Sequence, residues 1–222
     1  MPQQPLVIVG AGGFGREVAD LVRQLNEVAP AYDLLGMVGD TAPPTAVLER
    51  SGHRWLGPVD ALVELVAGTA YVVAVADPDA RERLAAQADA LGLAAATLVH
   101  PTAVIGSDVR MSAGVIVCAH SSITTNVSLG AHVHVDRRCT IGHDVVIEDF
   151  ARLNPGAVVS GGVRLGRGVT LGTGASTVQG IEIGAGTFVG AGAAVVGDLP
   201  AGVVAVGVPA RPRPEARASA HG

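Results

Sequence analysis

The chain has 222 residues, of which 49% are apolar and only 3% aromatic, and it carries a formal charge of −5. Its 15 basic residues are all arginine and form no basic block, which argues against a nucleic-acid partner. No apolar run approaches the roughly 18 residues needed to cross a bilayer, and the start of the chain shows no charged and apolar leader. We therefore expect a cytoplasmic protein without a membrane span.

The first 98 residues alternate between short apolar runs and helical patterns. The apolar runs are residues 6–9, 34–38, 55–56 and 71–76, and the helical patterns begin at residues 18, 58 and 77. The last of these opens on Asp77-Pro78, a good N-cap and first-turn pair. Strand and helix in alternation predict a small parallel sheet of the Rossmann type, in a first domain at residues 1–98.

A glycine-rich turn follows the first apolar run and matches the dinucleotide fingerprint. Glycines of this kind let a phosphate approach backbone amides at the N-terminus of a helix. The candidate substrate-binding residues here are the turn and an acid that ends the second strand: Gly10, Gly12, Gly13, Phe14, Gly15 and Asp40. The second half of a full dinucleotide domain is missing, which favours a nucleotide sugar over a redox cofactor. A purely structural turn is the remaining interpretation.

From Ile105 to Val195 an apolar residue returns at every sixth position, and Thr177 alone breaks the register. A helix would require a period of 3.6 and an isolated strand a period of two, so neither fits. A period of six held for this long predicts a parallel β-helix of hexapeptide repeats. Residues 18 apart then lie one above the other, about 4.8 Å apart.

This all-β domain is expected at residues 99–211, where a Gly-Val-Pro-Ala-Arg segment closes it, and residues 212–222 are expected to be a disordered tail. Its two cysteines, Cys118 and Cys139, are expected to be buried packing residues, because two cysteines provide neither a disulfide framework nor a metal-binding spacing.

Four stretches together carry a family resemblance that covers nearly the whole chain: residues 9–18, 100–105, 141–150 and 206–211. They resemble the sialic-acid O-acetyltransferase and nucleotide-aminosugar N-acetyltransferase family (NeuD/PglD type) of hexapeptide acyltransferases. The resemblance implies a left-handed parallel β-helix, a homotrimer, acetyl-CoA between neighbouring prisms and a nucleotide sugar held by the first domain. It also implies direct acetylation of the sugar's amino group, with O-acetylation of sialic acid or a related sugar as the alternative.

The family's catalytic histidine falls on His143 and its acidic partner on Asp144. A histidine with an ordinary pKa near 6.5 takes a proton readily at neutral pH, and a carboxylate beside it can fix its tautomer. The family's amide donor for the acetyl oxygen falls on Gly161, one coil further on. Where many relatives carry a second histidine and an asparagine, this chain has Arg152 and Asp136, which we assign to acetyl-CoA and to the substrate respectively.

Arg164 and Arg167 lie in the later coils and are further candidates to bind acetyl-CoA, through its phosphates. The simplest alternative is that both are solvated surface residues. No metal is expected, because a γ-class carbonic anhydrase needs three converging histidines and none follows His143 until His221. A non-catalytic trimeric scaffold that binds sugar nucleotides is the remaining alternative of another class.

Overall fold

The computed structural model describes residues 3–213, and the chain divides into two compact units with the boundary between Pro101 and Thr102. No helix among these residues is long and apolar enough to cross a membrane.

The first unit is a parallel sheet with helices in the connections. Its elements are β1 Gln4–Val9, α1 Gly13–Val28, β2 Tyr32–Val38, α2 Thr45–Ser51, β3 Trp55–Gly57, a 3-10 helix Val59–Glu64, β4 Ala70–Val73, α3 Pro78–Ala90, β5 Ala94–Ala95 and β6 Leu98–Val99. The strand order is β3-β2-β1-β4-β5. From the central strand β1, the chain adds β2 and β3 on one side of the sheet and then β4 and β5 on the other side. The strand order therefore reverses between β1 and β4, which makes this a topological switch point.

The apolar pattern of β1 explains its central place. Leu6, Val7, Ile8 and Val9 are all fully buried, as in a parallel strand that is covered on both faces. The N-cap prediction for α3 is confirmed, since the Asp77 carboxylate accepts a hydrogen bond from the Ala80 amide at 2.7 Å. The pattern expected to be helical from residue 58 forms only the short 3-10 helix.

The second unit is a stack of short strands. They are β7 Val104–Ile105, β8 Val109–Met111, β9 Ile116–Val117, β10 Ser122–Ile123, β11 Val127–Leu129, β12 His134–Val135, β13 Thr140–Ile141, β14 Val146–Ile147, β15 Arg152–Leu153, β16 Val158–Val159, β17 Arg164–Leu165, β18 Thr170–Leu171, β19 Ser176–Thr177, β20 Glu182–Ile183, β21 Phe188–Val189, β22 Ala194–Val195, β23 Val204–Val206 and β24 Arg211–Pro212.

Every third strand pairs in parallel, which gives a three-sided helix. Face 1 contains β7, β10, β13, β16, β19 and β22; face 2 contains β8, β11, β14, β17 and β20; face 3 runs from β9 through β12, β15, β18 and β21 to β23 and β24. Ile141 pairs with Ile123 on one side and with Val159 on the other, so the 18-residue rule holds.

The large apolar residue of each six-residue repeat points into the prism, and so does the small or β-branched residue four positions after it. Ile141 is an example of the first and Cys139 of the second, and both are fully buried. Thr177, the one polar residue of the register, is also buried, and its hydroxyl accepts a hydrogen bond from the Ser160 amide at 3.0 Å. A polar group in an apolar interior needs such a partner.

The last strands close the stack. β24 pairs antiparallel with β23, and the Arg213 amide donates to the Val204 carbonyl at 2.8 Å. Pro212, the first residue of the expected tail, therefore belongs to a strand. Residues 214–222 of that tail lie outside the described residues.

Candidate active site

The corner between face 1 and face 2 stacks residues whose backbone is left-handed. We call five of them the corner ladder: Asp108, Asn126 and Asp144, with φ of 53°, 53° and 59°, and Gly162 and Gly180, each with φ of 69°. Glycine adopts this conformation freely, whereas other residues lose about 1–2 kcal/mol. Asparagine and aspartate tolerate it best among the others, because their short polar side chains can form local hydrogen bonds.

His143 and Asp144 form a hydrogen-bonded pair on this corner. Nδ1 of His143 lies 2.7 Å from Oδ2 of Asp144, and Nδ2 of Asn126, one coil earlier, donates to Oδ1 of the same carboxylate at 2.6 Å. A carboxylate only accepts hydrogen bonds, so Nδ1 carries the proton and the lone pair of Nε2 is available. The pair therefore has the tautomer that a general base requires.

The charge state of Asp144 follows from the same contacts. Hydrogen bonds from Asn126 and then from His143 lower the pKa of its carboxyl below the ordinary value. Asp144 is therefore ionised at neutral pH and can support a protonated imidazole. The side chains of His143 and Asp144 are 67% and 57% exposed, so in the single chain the pair faces solvent.

Gly161 lies directly against the imidazole. A Cβ atom at this position would come within 2.7 Å of both Cε1 and Nε2 of His143, so only glycine fits beneath the ring. Among the described residues its amide has no hydrogen-bond acceptor. On the corner between face 2 and face 3, by contrast, the amides of Ala131 and Arg167 donate to carboxylates at 2.7 and 2.9 Å. The Gly161 amide is thus available to an acceptor outside the chain.

Arg152 and Asp136 are brought together with each other and not with His143. Nη2 of Arg152 donates to Oδ2 of Asp136 at 3.2 Å, and Nε donates to Oδ1 of Asn154 at 2.9 Å. The two charged side chains are only 8% and 3% exposed. They belong to face 3, whereas His143 lies on the opposite corner, so the single chain does not place them beside the base.

Arg164 and Arg167 have different surroundings. Arg164 begins β17 on face 2 and is exposed. The guanidinium of Arg167 lies 4.6 Å from the centre of the Phe150 ring and 3.2 Å from Oδ2 of Asp149. Arg167 is therefore already engaged in a cation-π contact and an ion pair, and Arg164 is the more accessible cation.

The cysteines take no part in the corner. Both are buried and form no disulfide, and burial raises the pKa of the Cys139 thiol to about 12. Among residues 3–213, no group of three or more histidine, cysteine, aspartate or glutamate side chains could hold a metal ion.

Of the six predicted substrate-binding residues of the first unit, all except Gly15 line one cleft of about 560 Å³. It lies at the carboxyl ends of β1, β2 and β4, beside the switch point, which is where open parallel sheets bind ligands. Its walls are the glycine-rich turn, the segment from Gly39 to Pro44 and the segment from Ala74 to Ala76. Gly10, Gly12, Gly13, Phe14 and Asp40 all contribute to this lining.

The glycines of the turn have separate physical roles. Gly10 has a φ of 120°, and a Cβ there would lie 2.8 Å from the Ala74 carbonyl oxygen. A Cβ on Gly15 would collide with the Gly10 carbonyl oxygen, so Gly15 permits close packing of α1 on the turn. Gly12 and Gly13 have open space around the Cβ position, which leaves the amides at the start of α1 accessible from the cleft.

Two arginines near the cleft were not among the sequence candidates. Arg16 lines the cleft from the first turn of α1, is half-buried, and makes no side-chain hydrogen bond or ion pair with any described residue. Arg81 is fully buried and donates to the carbonyl oxygens of Val75 and Ala76 at 2.8 and 3.0 Å. The sequence did contain a signal for both arginines, because each lies near the N-terminus of a helix. A cation there is unfavourable with respect to the helix dipole, so its presence suggests a specific role.

A family model and several known proteins are similar to this chain. The model of the PglD N-terminal domain matches residues 5–88. The curated GDP-perosamine N-acetyltransferase of Escherichia coli O157:H7 is 30% identical over 156 residues, which is 69% of either chain.

Solved structures extend the similarity to both units. The acetyltransferase domain of PglB from Neisseria gonorrhoeae, in complex with acetyl coenzyme A, is 30% identical, with a TM-score of 0.88 over 96% of this chain and 100% of that one. PerB from Caulobacter crescentus, in complex with CoA and GDP-perosamine, is 32% identical, with a TM-score of 0.86 over 95% of this chain and 97% of that one. The predicted fold class, a small Rossmann-like sheet followed by a left-handed β-helix, is confirmed, and this chain belongs to the NeuD/PglD-type family of left-handed β-helix acetyltransferases.

Proposed function

We propose that the protein transfers the acetyl group of acetyl-CoA to the amino group of a nucleotide-linked amino sugar, with GDP-perosamine as the first acceptor to test. The observation that carries the proposal is the hydrogen-bonded chain on the corner between face 1 and face 2. Asn126 bonds to Asp144, Asp144 bonds to His143, and the imidazole of His143 lies against Gly161. The ligands of PerB and PglB and the activity of the Escherichia coli relative support this choice of donor and acceptor.

His143 acts as the general base in this proposal. The sugar amine attacks the thioester carbonyl carbon, Nε2 of His143 accepts the proton that the amine loses, and the carbon–sulfur bond breaks to release CoA. Asp144 supports the imidazolium that forms, and His143 then returns the proton to the CoA thiolate. A base in this position contributes about 10² to 10⁴ in rate.

The Gly161 amide stabilises the negative charge that develops on the acetyl oxygen. A donor of this kind is typically worth about 3 kcal/mol. Two features support the role: the amide has no acceptor among the described residues, and it belongs to the residue that lies against the base. Arg164 and Arg167 remain our candidates for the CoA phosphates, and Arg152 remains a candidate for another part of acetyl-CoA.

The cleft of the first unit holds the nucleotide. Its diphosphate would accept hydrogen bonds from the amides at Gly12 and Gly13, where the α1 dipole also favours negative charge. Arg16 supplies a cation on the same wall. Asp40 uses Oδ1 to accept from the Val59 amide at 3.1 Å, and its other oxygen is left to bind a hydroxyl or an N–H of the nucleoside. Asp136 remains a candidate contact for the sugar.

The proposal includes a homotrimer and a cytoplasmic location. Face 1 exposes apolar, small or hydroxyl side chains along its whole length, among them Val104, Val158, Val178 and Val196 at 39–64% exposure. A charge-free exposed face of this kind suits a contact with a second copy. It also borders the corner of His143, so a neighbouring chain there would shield a thioester that the single chain leaves in water.

Release of free thiol from acetyl-CoA tests the proposal. The purified protein is assayed with GDP-perosamine and with UDP-, dTDP- and CMP-linked amino sugars, alongside the His143→Ala variant. Because both cysteines are buried, the native protein itself should add little thiol signal. We expect release with at least one nucleotide-linked amino sugar and a fall of about 10² to 10⁴ in kcat for His143→Ala.

The same assay separates the alternatives. Release only with sialic acid, with an ester as product, would replace N-acetylation by O-acetylation. No release with any acceptor, together with thermal stabilisation by a sugar nucleotide, would favour the non-catalytic scaffold. Near wild-type turnover of His143→Ala would refute the assignment of the base.

A further inference from the structure

The carboxylate of Asp144 is held from two sides. Oδ2 accepts a hydrogen bond from Nδ1 of His143 at 2.7 Å, and Oδ1 accepts one from Nδ2 of Asn126 at 2.6 Å. Because each oxygen has one partner, the plane of the carboxylate is fixed. Asn126 and Asp144 are 18 residues apart and both are left-handed, which places their side chains over each other on the corner ladder. A single contact from His143 would leave the carboxylate free to rotate.

We propose that Asn126 is a positioning residue for catalysis: its amide fixes the Asp144 carboxylate so that Asp144 holds His143 in the tautomer with a free Nε2. This inference rests on the proposed role of His143 and adds a third member to the pair. It assigns Asn126 no contact with substrate, because the residue acts only through Asp144.

The ladder itself argues against a purely structural role for the asparagine. Two coils further on, the same position is glycine with a similar φ, at Gly162 and again at Gly180. The fold therefore needs only a residue that tolerates the left-handed conformation, and glycine does so at lower cost than asparagine. The amide is present on the coil directly before the candidate base, where it reaches the Asp144 carboxylate.

Other charged groups on this part of the prism are placed elsewhere. Asp108, the preceding step of the ladder, pairs with Arg110 at 2.9 Å. Arg164 is exposed on face 2. It pairs with Val146, which lies two residues after Asp144, so Arg164 belongs to the next coil. A further side-chain contact on this corner joins the neutral hydroxyls of Ser107 and Thr125 at 2.9 Å. Among described residues, Asn126 and His143 are thus the groups that hydrogen-bond the Asp144 carboxylate.

Asn126→Gly is the appropriate substitution, because it removes the amide and keeps a residue that adopts the required φ freely. We expect kcat to fall about 3- to 10-fold, since one hydrogen bond to an exposed carboxylate is lost. The KM values for both substrates should be unchanged, because the residue contacts neither. Asp108→Gly makes the same backbone change one coil earlier and is the matched control, with activity and thermal midpoint close to wild type.

A double-mutant cycle shows whether Asn126 acts through Asp144. In an Asp144→Gly background both acceptor oxygens are absent and the left-handed backbone is retained, so adding Asn126→Gly should produce no further fall in kcat. An equal fall in both backgrounds, or wild-type kcat for Asn126→Gly alone, would overturn the inference. Failure of the proposed function gives a different result, because His143→Ala would then keep its activity whatever the behaviour of Asn126.

Discussion

The imidazole of His143 lies against the backbone of the next coil, so the residue at position 161 decides whether the ring can keep its place. The space allows no side chain: the distance of 2.7 Å from an added Cβ to Nε2 is shorter than any van der Waals contact. Position 161 does not have a positive φ, so its need for glycine comes from the histidine and not from the backbone.

Gly161→Ala should therefore inactivate the enzyme without unfolding it. The added methyl group would push the imidazole out of line with Asp144, and we expect kcat to fall at least about 10²-fold, as when the base is removed. Steady-state kinetics and thermal unfolding measure the two effects. Gly197→Ala, at another glycine without a positive φ and with open space around its Cβ, is the control and should leave both values unchanged. Wild-type kcat for Gly161→Ala would contradict the proposed geometry.

Residue-level prediction from the sequence succeeded where the 18-residue rule applied. That rule places Gly161 over His143 and Asp144 over Asn126, although only the structure shows that the Asn126 amide reaches the carboxylate. The rule could not predict the burial of Arg152. Arg152 stands between the interior residues Ala151 and Leu153, so strand alternation predicts that its side chain points outward into solvent. That side chain is nevertheless only 8% exposed and is paired with Asp136. Whether an outward-pointing side chain is buried depends on the groups that pack over that face of the prism. The six-residue repeat specifies only which residues point inward.

At the scale of secondary-structure elements, the buried guanidinium of Arg81 holds the connection from β4 to α3 in place by hydrogen bonds. Arg81 enters the protein interior from the first turn of α3 and donates to the carbonyls of Val75 and Ala76, which line the cleft of the first unit. A buried guanidinium is expensive unless its donors are satisfied. The shape of that cleft wall should therefore depend on this arginine.

Arg81→Met keeps most of the side-chain length and removes the donors. Each carbonyl left without a partner costs about 1–3 kcal/mol, so the thermal midpoint should fall. If the wall also moves, the KM for the nucleotide sugar rises several-fold while the KM for acetyl-CoA stays the same. Arg83→Met changes an exposed arginine of the same helix and is the matched control. Equal changes in both KM values would show that Arg81 has only a general role in stability.

The elements also show which patterns a sequence can reveal. The strands of the prism were predictable because each interior position recurs every sixth residue. Helix α2, at Thr45–Ser51, was not predicted, and none of its residues is buried. A helix without a buried face has no apolar stripe, so periodicity cannot detect it.

On the scale of the whole molecule, face 1 and face 2 of the prism differ in charge. Face 2 presents Arg110, Arg164 and Glu182 to solvent, whereas the outward residues of face 1 are uncharged. If face 1 is the contact between copies, an added charge there must be buried without a partner, which costs several kcal/mol.

Val178→Asp should therefore weaken the trimer. Light scattering of the wild type should give about three times the chain mass of 22.2 kDa, and the variant should give a lower mass that depends on concentration. Val178 is 42% exposed and lies on face 1 away from His143, so a loss of activity would follow from loss of assembly. Ser128→Asp, on face 2, is the control. A wild-type mass for Val178→Asp would exclude this face as the contact, and a monomeric wild type would refute the trimer.

The two units divide the proposed reaction, since one holds the nucleotide cleft and the other holds the base. Gly12→Glu tests this division, because the open space around Gly12 lets a glutamate side chain enter the cleft, where its charge would repel a diphosphate. We expect the KM for the nucleotide sugar to rise about 10-fold or more, with the KM for acetyl-CoA unchanged, because a loss of about 1.4 kcal/mol in binding already corresponds to a factor of ten. Ala90→Glu adds the same charge at an exposed position of α3 outside the lining of this cleft and should change neither value. If Gly12→Glu raised only the KM for acetyl-CoA, the cleft would bind the donor, and the assignment of the two units would have to be reversed.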